Sequence, residues 1–433
     1  MSVGDKSYKD LLLISRGAWR DDRNSGSTYT SIFASWPRDK ISQLYCRPDK
    51  PDNTICERYF QISDKDILQS IFSFNKRAGK CFNTSSLDKK NKPSKEKKII
   101  SLIRNSDSYV LRIIRELLWA IGRIDYEELD SWLNNIKPEI IHLSGTDSIY
   151  MYLIANNIIR KLKIPFVIYI SDDIYTYKQY NWSPFFWLHR FILRKFVRKS
   201  IKSAERVFVI SPLQKREYEK IFNREMDILS KSIKNECQDK YEFEKPIEIT
   251  YMGNIASGRW KTLELIIKEL KLINESDKSY FLSIYSNLSV PESIKNRLTV
   301  EGISELKEPV NSQKVNEILL NSDILLHVES FRLKDFLKTR LSFSAKIVDY
   351  FEAGRCILAI GDSTNASIQY LKEKDAAYII DSDKVLVVRE KLKELLYDEN
   401  LIKKYAYKSM ECGRDYHGVG MTKEKYRVII SEI

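Results

Sequence analysis

A chain of 433 residues exceeds one ordinary core, and at roughly 150 residues per domain it divides into two or three, two being commoner for α/β chains. Its 43% apolar and 30% charged residues exclude a disordered, collagen-like or multi-span membrane chain. The net charge of +13 is uneven: residues 1–240 hold 43 Lys and Arg against 29 Asp and Glu, while residues 241–433 hold 29 against 30. An anionic partner, whether a membrane face, nucleic acid or a phosphorylated substrate, is therefore expected to meet the first half.

In chain order, Met1–Ile14 carries Asp5, Lys6, Lys9 and Asp10 around one short apolar run and does not read as a signal peptide. Leu11–Ser15 reads as a buried strand that runs into a polar loop, Arg16–Tyr29. The lysine-rich stretch Lys89–Lys98 contains Pro93 and no aromatic residue, so it reads as an exposed insertion and not a nucleic-acid patch. Apolar runs recur at Ile140–Leu143, Phe166–Ile170 and Val207–Ile210 with helical stretches between them, the pattern of parallel βαβ units. Ile164–Ile170 and Trp182–Val197, the longest apolar candidates, are too short or too basic to span a membrane, so a cytosolic chain is expected.

Between Asn235 and Lys245 the chain turns polar and ends at Pro246, which places a linker at 241–246. The strand pattern then restarts at Ile247–Met252, with a glycine turn at Gly253, a helix near Trp260–Asn274 and a strand Tyr280–Tyr285. Strands Ile324–His327, Ile357–Ile360 and Ala377–Ile380 follow, with helices near Asn311–Leu320, Ser344–Ala353 and Lys384–Tyr397. The expected fold is α/β, two Rossmann-like domains at 1–240 and 247–420 facing across a cleft. A last helix at 421–433 is free to pack back on the first domain. The cysteines Cys46, Cys56, Cys81, Cys237, Cys356 and Cys412 form no C-x-x-C pair, and His142, His189, His327 and His417 are equally scattered. Buried or incidental thiols and no zinc site are expected.

Ligands of open parallel sheets bind outside the carboxyl ends of the strands, which directs attention to five loops. In Arg16–Thr28, Gly17, Asn24, Ser25 and Gly26 allow close backbone approach to a ligand, and a helix starting at Tyr29–Phe33 would aim its N–H groups there; a plain surface loop is the alternative. His142 ends one central strand and suits either a ligand contact or a core hydrogen bond. Asp172 and Asp173 follow another strand and could bind metal, act as a base or cap the next helix. The stretch from Gly253 and Asn254 to Arg259 and Lys261 combines glycines, a helix start and cations as a phosphate cradle, without the spacing of a dinucleotide or Walker motif. Within Ser342–Gly361, Lys346 and Asp349 lie three apart on one helix face. They suit either a clamp on a nucleotide diphosphate and its ribose or a surface ion pair. Asp381-Ser382-Asp383 has the form of a D-x-D metal motif but arises easily by chance.

From Phe343 to Leu358, with Lys346, Asp349, Gly354 and Arg355 in place, the chain resembles the FSxKxxEYLAxGRPIL segment of the group 1 nucleotide-sugar glycosyltransferases, retaining enzymes of the GT-B fold. Tyr251-Met252-Gly253 with Arg259 and Lys261 is similar to that family's phosphate loop, and Phe208-Val209-Ile210-Ser211-Pro212 to the segment closing its first domain. Asp172-Asp173, with Tyr175 nearby, resembles the acidic loop of the polysaccharide-assembly subgroup, and Asn24-Ser25-Gly26 the first loop beside the donor. Of the two glutamates that many relatives carry eight apart, the first falls on Leu341 here, and Glu329 is the substitute at hand.

The resemblance implies transfer of a sugar from a nucleotide diphosphate sugar to a saccharide acceptor, such as a lipid-linked glycan in surface polysaccharide synthesis, with no cofactor or metal. It implies catalytic roles for His142, Asp172, Asp173, Arg259 and Lys346. Donor contacts are implied for Asn24, Gly26, Gly253, Arg259, Lys261, Glu329, Lys346 and Asp349. Cations interleaved with aromatics in Trp182–Arg206 (Trp182, Phe186, Trp187, Arg190, Arg194, Lys195 and Arg198) suit an interfacial helix on anionic lipid, or equally a helix with one face in the core. A nucleotide-sugar epimerase of the same fold and a non-catalytic basic binding protein are the rival functions.

Overall fold

The computed structural model describes residues 8–21, 24–84, 108–235, 246–277, 280–286 and 290–433. The expected insertion at Lys89–Lys98, Cys237, linker residues 241–245 and the side chain of Asn24 lie outside the described residues.

Fourteen strands form two sheets among these residues. The first contains β1 (Leu11–Ser15), β2 (Ile41–Tyr45), β3 (Arg58–Gln61), β4 (Lys80–Asn83), β5 (Ile140–Ser144), β6 (Phe166–Ile170), β7 (Arg206–Val209) and β8 (Asp227–Ile228). Their order is β4-β3-β2-β1-β5-β6-β7-β8. All pairs are parallel except β3 with β4, and Leu11 sits between Ile41 and Ile140. The second sheet holds β9 (Ile247–Met252), β10 (Tyr280–Tyr285), β11 (Ser304–Lys307), β12 (Ile324–Val328), β13 (Cys356–Ile360) and β14 (Tyr378–Ile380). It is parallel throughout, in the order β11-β10-β9-β12-β13-β14. Each order reverses once, beside β1 and beside β9, and such reversals open a crevice at the carboxyl ends of the strands.

Continuous apolar runs become central strands because helices cover both faces of a parallel sheet. Thus β1, β12 and β13 are buried along their whole length. Strand β2 is equally buried but reads Ile-Ser-Gln-Leu-Tyr, which hid it from an apolar-run search. Its Gln43 is fully buried because its amide donates to Ser15 Oγ (2.8 Å) and its oxygen accepts from the Trp19 N–H (3.1 Å). The expected loop Arg16–Tyr29 is shorter than the sequence suggested, since a helix already begins at Asn24 and runs to Phe33.

The helix Met421–Ser431 packs on the first sheet although it follows the second in the chain. Tyr426 is fully buried there, its ring against Phe33 (5.3 Å), Trp36 (5.8 Å) and Phe208 (5.4 Å). The crossing is held by Thr422, whose N–H donates to Ser232 Oγ (2.9 Å), and by His417 Nδ1, 2.9 Å from the Lys231 carbonyl. His142, expected at the site, lies instead in this core, with Nδ1 2.8 Å from the Tyr426 hydroxyl. Its side chain leaves the face of β5 that the C-terminal helix covers, so it reaches no ligand.

Burial holds three imidazoles neutral: it pushes His142 and His327 down to about 3, the latter aided by Arg259 and Lys346, and His417 down to about 4, all from 6.5. The unfolded chain gains these protons as pH falls below 6.5, while the folded protein refuses them until far lower pH. Stability is therefore present in full above that value and falls with pH, by up to about 1.4 kcal/mol per pH unit for each group. Urea unfolding between about pH 7 and pH 5 should show this loss, and His142→Gln should reduce its slope by about one proton.

Candidate active site

The carboxyl ends of β5, β6, β9 and β12 face a single cavity of about 410 Å³ between the two sheets, together with the start of the helix Asn24–Phe33. On the second-sheet side two helices begin at its wall, each with a cation in its first turn: Arg259 opens Arg259–Asp277, and Lys346 opens Lys346–Ala353. Cations are disfavoured at helix N-termini, where the macrodipole is already positive, so two of them side by side make a site prepared for an anion.

Arg259 is partly balanced. Its Nη2 donates to both carboxylate oxygens of Glu329, at 2.8 and 2.9 Å. Burial works against its charge, but Glu329 outweighs that and holds its pKa above the usual value. Glu329 is itself buried, follows β12, and accepts from Thr339 Oγ1 at 3.2 Å. Gly258, at φ +76°, makes the turn that delivers Arg259 to the cavity.

Lys346 has no balancing partner: among the described residues it forms no salt bridge and no hydrogen bond, and Ala345 before it offers no side-chain cap. Burial, then the charge of Arg259, pulls its pKa from 10.5 to about 8 against the opposing pull of Asp349 and Glu329. Asp349, expected beside Lys346, is instead engaged by Lys231 Nζ from the segment that follows β8. Gly253 lines the cavity with Asn254. Lys261 does not: it is exposed, with Nζ over the Trp260 ring at 5.4 Å. Two residues along a helix turn the side chain by about 200°, so Arg259 and Lys261 cannot serve one ligand.

Among the described residues the opposite wall is uncharged except for one carboxylate, Asp172. Tyr29 donates to Ser144 Oγ at 2.7 Å, and Asp172 Oδ1 accepts from Ser342 Oγ of the other lobe at 2.7 Å. Crowding by both lobes raises the Asp172 pKa by desolvation. Asp173 turns the other way. It is buried, accepts from the Tyr175 and Thr176 N–H groups (3.1 and 2.8 Å) and meets Arg190 at 3.3 Å, so it holds its loop and contacts no ligand. Gly26 lies behind the wall, where a side chain would strike the Arg20 carbonyl; its neighbours Ser25 and Thr28 face the cavity. Asp381 of the D-x-D triplet pairs with Lys372 at 2.9 Å. Among the described residues no group of three or more His, Cys, Asp or Glu could hold a metal ion.

The helix Pro184–Ser203 divides the expected membrane residues between two faces. Phe186 and Arg190 are buried, Arg190 because it donates to the Asp173 and Thr176 carbonyls (3.0 and 2.8 Å). Trp182, Trp187, Lys195 and Arg198 are exposed. Sequence reasoning missed Lys231 and the pair Arg340–Glu217, because their partners lie on the other lobe more than a hundred residues away, and Thr339, which no motif marks. Arg340 Nη2 donates to Glu217 Oε2 at 2.8 Å, joining the lobes at the rim of the cavity.

Solved structures share this architecture. HepE from Anabaena, in complex with UDP and glucose, matches with a TM-score of 0.63 at 8% identity over 98% of this chain and 100% of that one. TarM matches at 0.62 and 11% identity over 99% and 100%. WaaG, a glycosyltransferase involved in lipopolysaccharide biosynthesis, matches at 0.60 and 10% identity over 97% and 99%. No protein-family model and no curated protein matches the chain. At such identities the likeness is one of fold: two Rossmann-like lobes facing across a cleft, the GT-B arrangement.

An anion in this cavity needs Lys346 protonated, and that charge is lost as pH rises through about 8. The Lys346-dependent part of inorganic pyrophosphate binding, taken by calorimetry as the difference between the wild type and Lys346→Ala at each pH, should fall as pH rises through about 8, by up to about tenfold per pH unit. Lys346→Arg should remove the fall, because a guanidinium stays charged throughout.

Proposed function

We propose that this chain is a glycosyltransferase that moves a sugar from a nucleotide diphosphate sugar to a hydroxyl of a saccharide acceptor. The observation that carries the reading is Lys346, a half-buried cation with no ion pair or hydrogen bond among the described residues, beside Arg259 at two helix N-termini in the cleft between two nucleotide-fold lobes. A diphosphate supplies the anion that this arrangement lacks. UDP is the nucleotide to test first, since the similar HepE structures hold UDP, UDP with glucose, or UDP-glucose.

In the proposed reaction an acceptor oxygen bonds to the anomeric carbon, on the same face that the diphosphate leaves, as the bond from that carbon to the β-phosphate oxygen breaks. The electron pair leaves on the diphosphate, where Lys346, Arg259 and the helix N-termini stabilise the growing charge. Glu329 keeps Arg259 oriented from behind. Asp172, on the opposite wall and more basic than an ordinary carboxylate, takes the proton that the attacking hydroxyl gives up. Retention of configuration is taken from the sequence resemblance. Charge neutralisation by side chains makes a divalent cation unnecessary.

A lipid-linked acceptor is supported by an apolar surface on the first lobe. The helix Tyr109–Ile121 exposes Val110, Ile114, Leu117 and Ile121 along one stripe, and its neighbour Pro184–Ser203 exposes Phe185, Leu188, Phe191 and Ile192. Trp182 is 85% exposed at one end of this surface, and Lys195 and Lys199 are exposed further along the helix Pro184–Ser203, Lys195 over the Phe191 ring. Apolar side chains edged by cations fit a membrane interface. Among the described residues no helix is long and apolar enough to cross a membrane, so the contact proposed is peripheral.

UDP should raise the melting temperature, and labelled donor should pass to an acceptor rather than to a rearranged nucleotide sugar, the product an epimerase would give. Lys346→Ala should lower kcat/KM by about 10²–10³-fold with the fold retained, and EDTA should leave transfer intact. Near-normal turnover of this variant, or loss of activity with EDTA, would overturn the assignment. Vesicles containing phosphatidylglycerol should carry the protein in flotation better than phosphatidylcholine alone. Leu117→Glu with Trp182→Ser should weaken that binding without changing UDP affinity.

A further inference from the structure

A second cavity, of about 360 Å³, lies on the outer side of the acidic loop, lined by Tyr175, Tyr177, Lys178, Arg194, Glu217 and Lys220. The loop that starts at Asp172 in the first cavity forms its floor, and Glu217 joins it to Arg340, the residue after Thr339 of the first cavity. The two cavities are therefore neighbours across one loop and one ion pair.

Three cations line this cavity with a single carboxylate, Glu217, and that carboxylate is already claimed by Arg340. Lys178 reaches Glu217 at 3.3 Å, while Lys220 and Arg194 have no carboxylate partner among the described residues. Arg194 is held unusually firmly. Its guanidinium carbon sits 4.0 Å from the Tyr175 ring centroid and 3.8 Å from that of Tyr177, and one nitrogen donates to the Tyr175 carbonyl. Two aromatic faces cover the flat sides of the guanidinium, so the donors left for a ligand lie at its edge, where an oxyanion binds. Tyr177 is half-exposed and completes a wall on which a sugar or an apolar group can lie.

We propose that this second cavity binds a phosphate group through Arg194, Lys178 and Lys220. Its position beside Asp172 makes it the anchor for a phosphate carried by the acceptor, a role that rests on the transfer proposed above; the binding itself does not. The phosphate could belong to a soluble molecule or to a lipid headgroup, and the chemistry of recognition is the same.

The test titrates inorganic pyrophosphate into protein saturated with UDP, so that the first cavity is filled. UDP affinity is measured first and separately: a failure of the donor reading appears there, and a failure of the second cavity appears only in the pyrophosphate signal. Wild-type protein should bind pyrophosphate in the presence of UDP, and Lys178→Ala with Lys220→Ala should weaken that binding by about tenfold or more while UDP affinity stays unchanged. Lys220→Arg should restore most of it when Lys178 is intact. Loss of pyrophosphate binding with unchanged flotation on phosphatidylglycerol vesicles supports a phosphate carried by a soluble molecule; loss of both supports a lipid headgroup. Wild-type protein that ignores pyrophosphate once UDP is bound, or a double variant that binds it equally well, overturns the proposal.

Discussion

Lys346 and Arg259 repel each other on one wall of the cavity, and both stand where helix dipoles add to that repulsion. Only packing elsewhere keeps two such cations in place without an anion between them. Glu329 offsets one of them, and the buried helix Lys346–Ala353, anchored by Ile347, Val348, Tyr350 and Phe351, fixes the other. Helices that begin at the carboxyl ends of parallel strands present their N–H groups to the crevice, so the fold and the charge of the site have one origin.

Facing lobes need ties that set their spacing, and several polar ones cross between them, three of them at the cavity or beside it. Arg340 binds Glu217 at the rim, Ser342 donates to Asp172 inside the cavity, and Lys231 engages Asp349 behind it. The C-terminal helix adds an apolar tie by burying Tyr426 in the first lobe, after the chain has completed the second. Two of these ties involve carboxylates in or near the cavity between the lobes. Asp349 and Asp172 thus connect the spacing of the lobes to what occupies the space between them.

The apolar strands and the helix starts beside them were legible because a fully buried strand must be apolar and a helix start needs a recognisable turn. Leu11–Ser15, Ile247–Met252 and the region around Lys346 illustrate this. Strand β2 was not legible, since Ser42 and Gln43 are buried by hydrogen bonding and not by apolarity. Strand ends alone also misjudged side chains. His142 lies in the middle of β5 and points into the core under Tyr426, and Asp173, after β6, turns into its own loop. In the same way Phe186 and Arg190 share a helix with exposed aromatics but lie on its inner face.

By itself the sequence determined two α/β units, the basic character of the first, and the cations Arg259 and Lys346 at the starts of helices, because these depend on composition and on neighbours a few residues apart. Only the tertiary structure decided that Arg259 and Lys346 share one cavity while Lys261 does not, that Glu329 belongs to Arg259, and that Asp349 is held by Lys231. Those pairings join residues 70 and 118 positions apart, and a separation of that size leaves no periodic trace in a chain. Side-chain direction, set by which face each element buries, is the property that folding alone supplies.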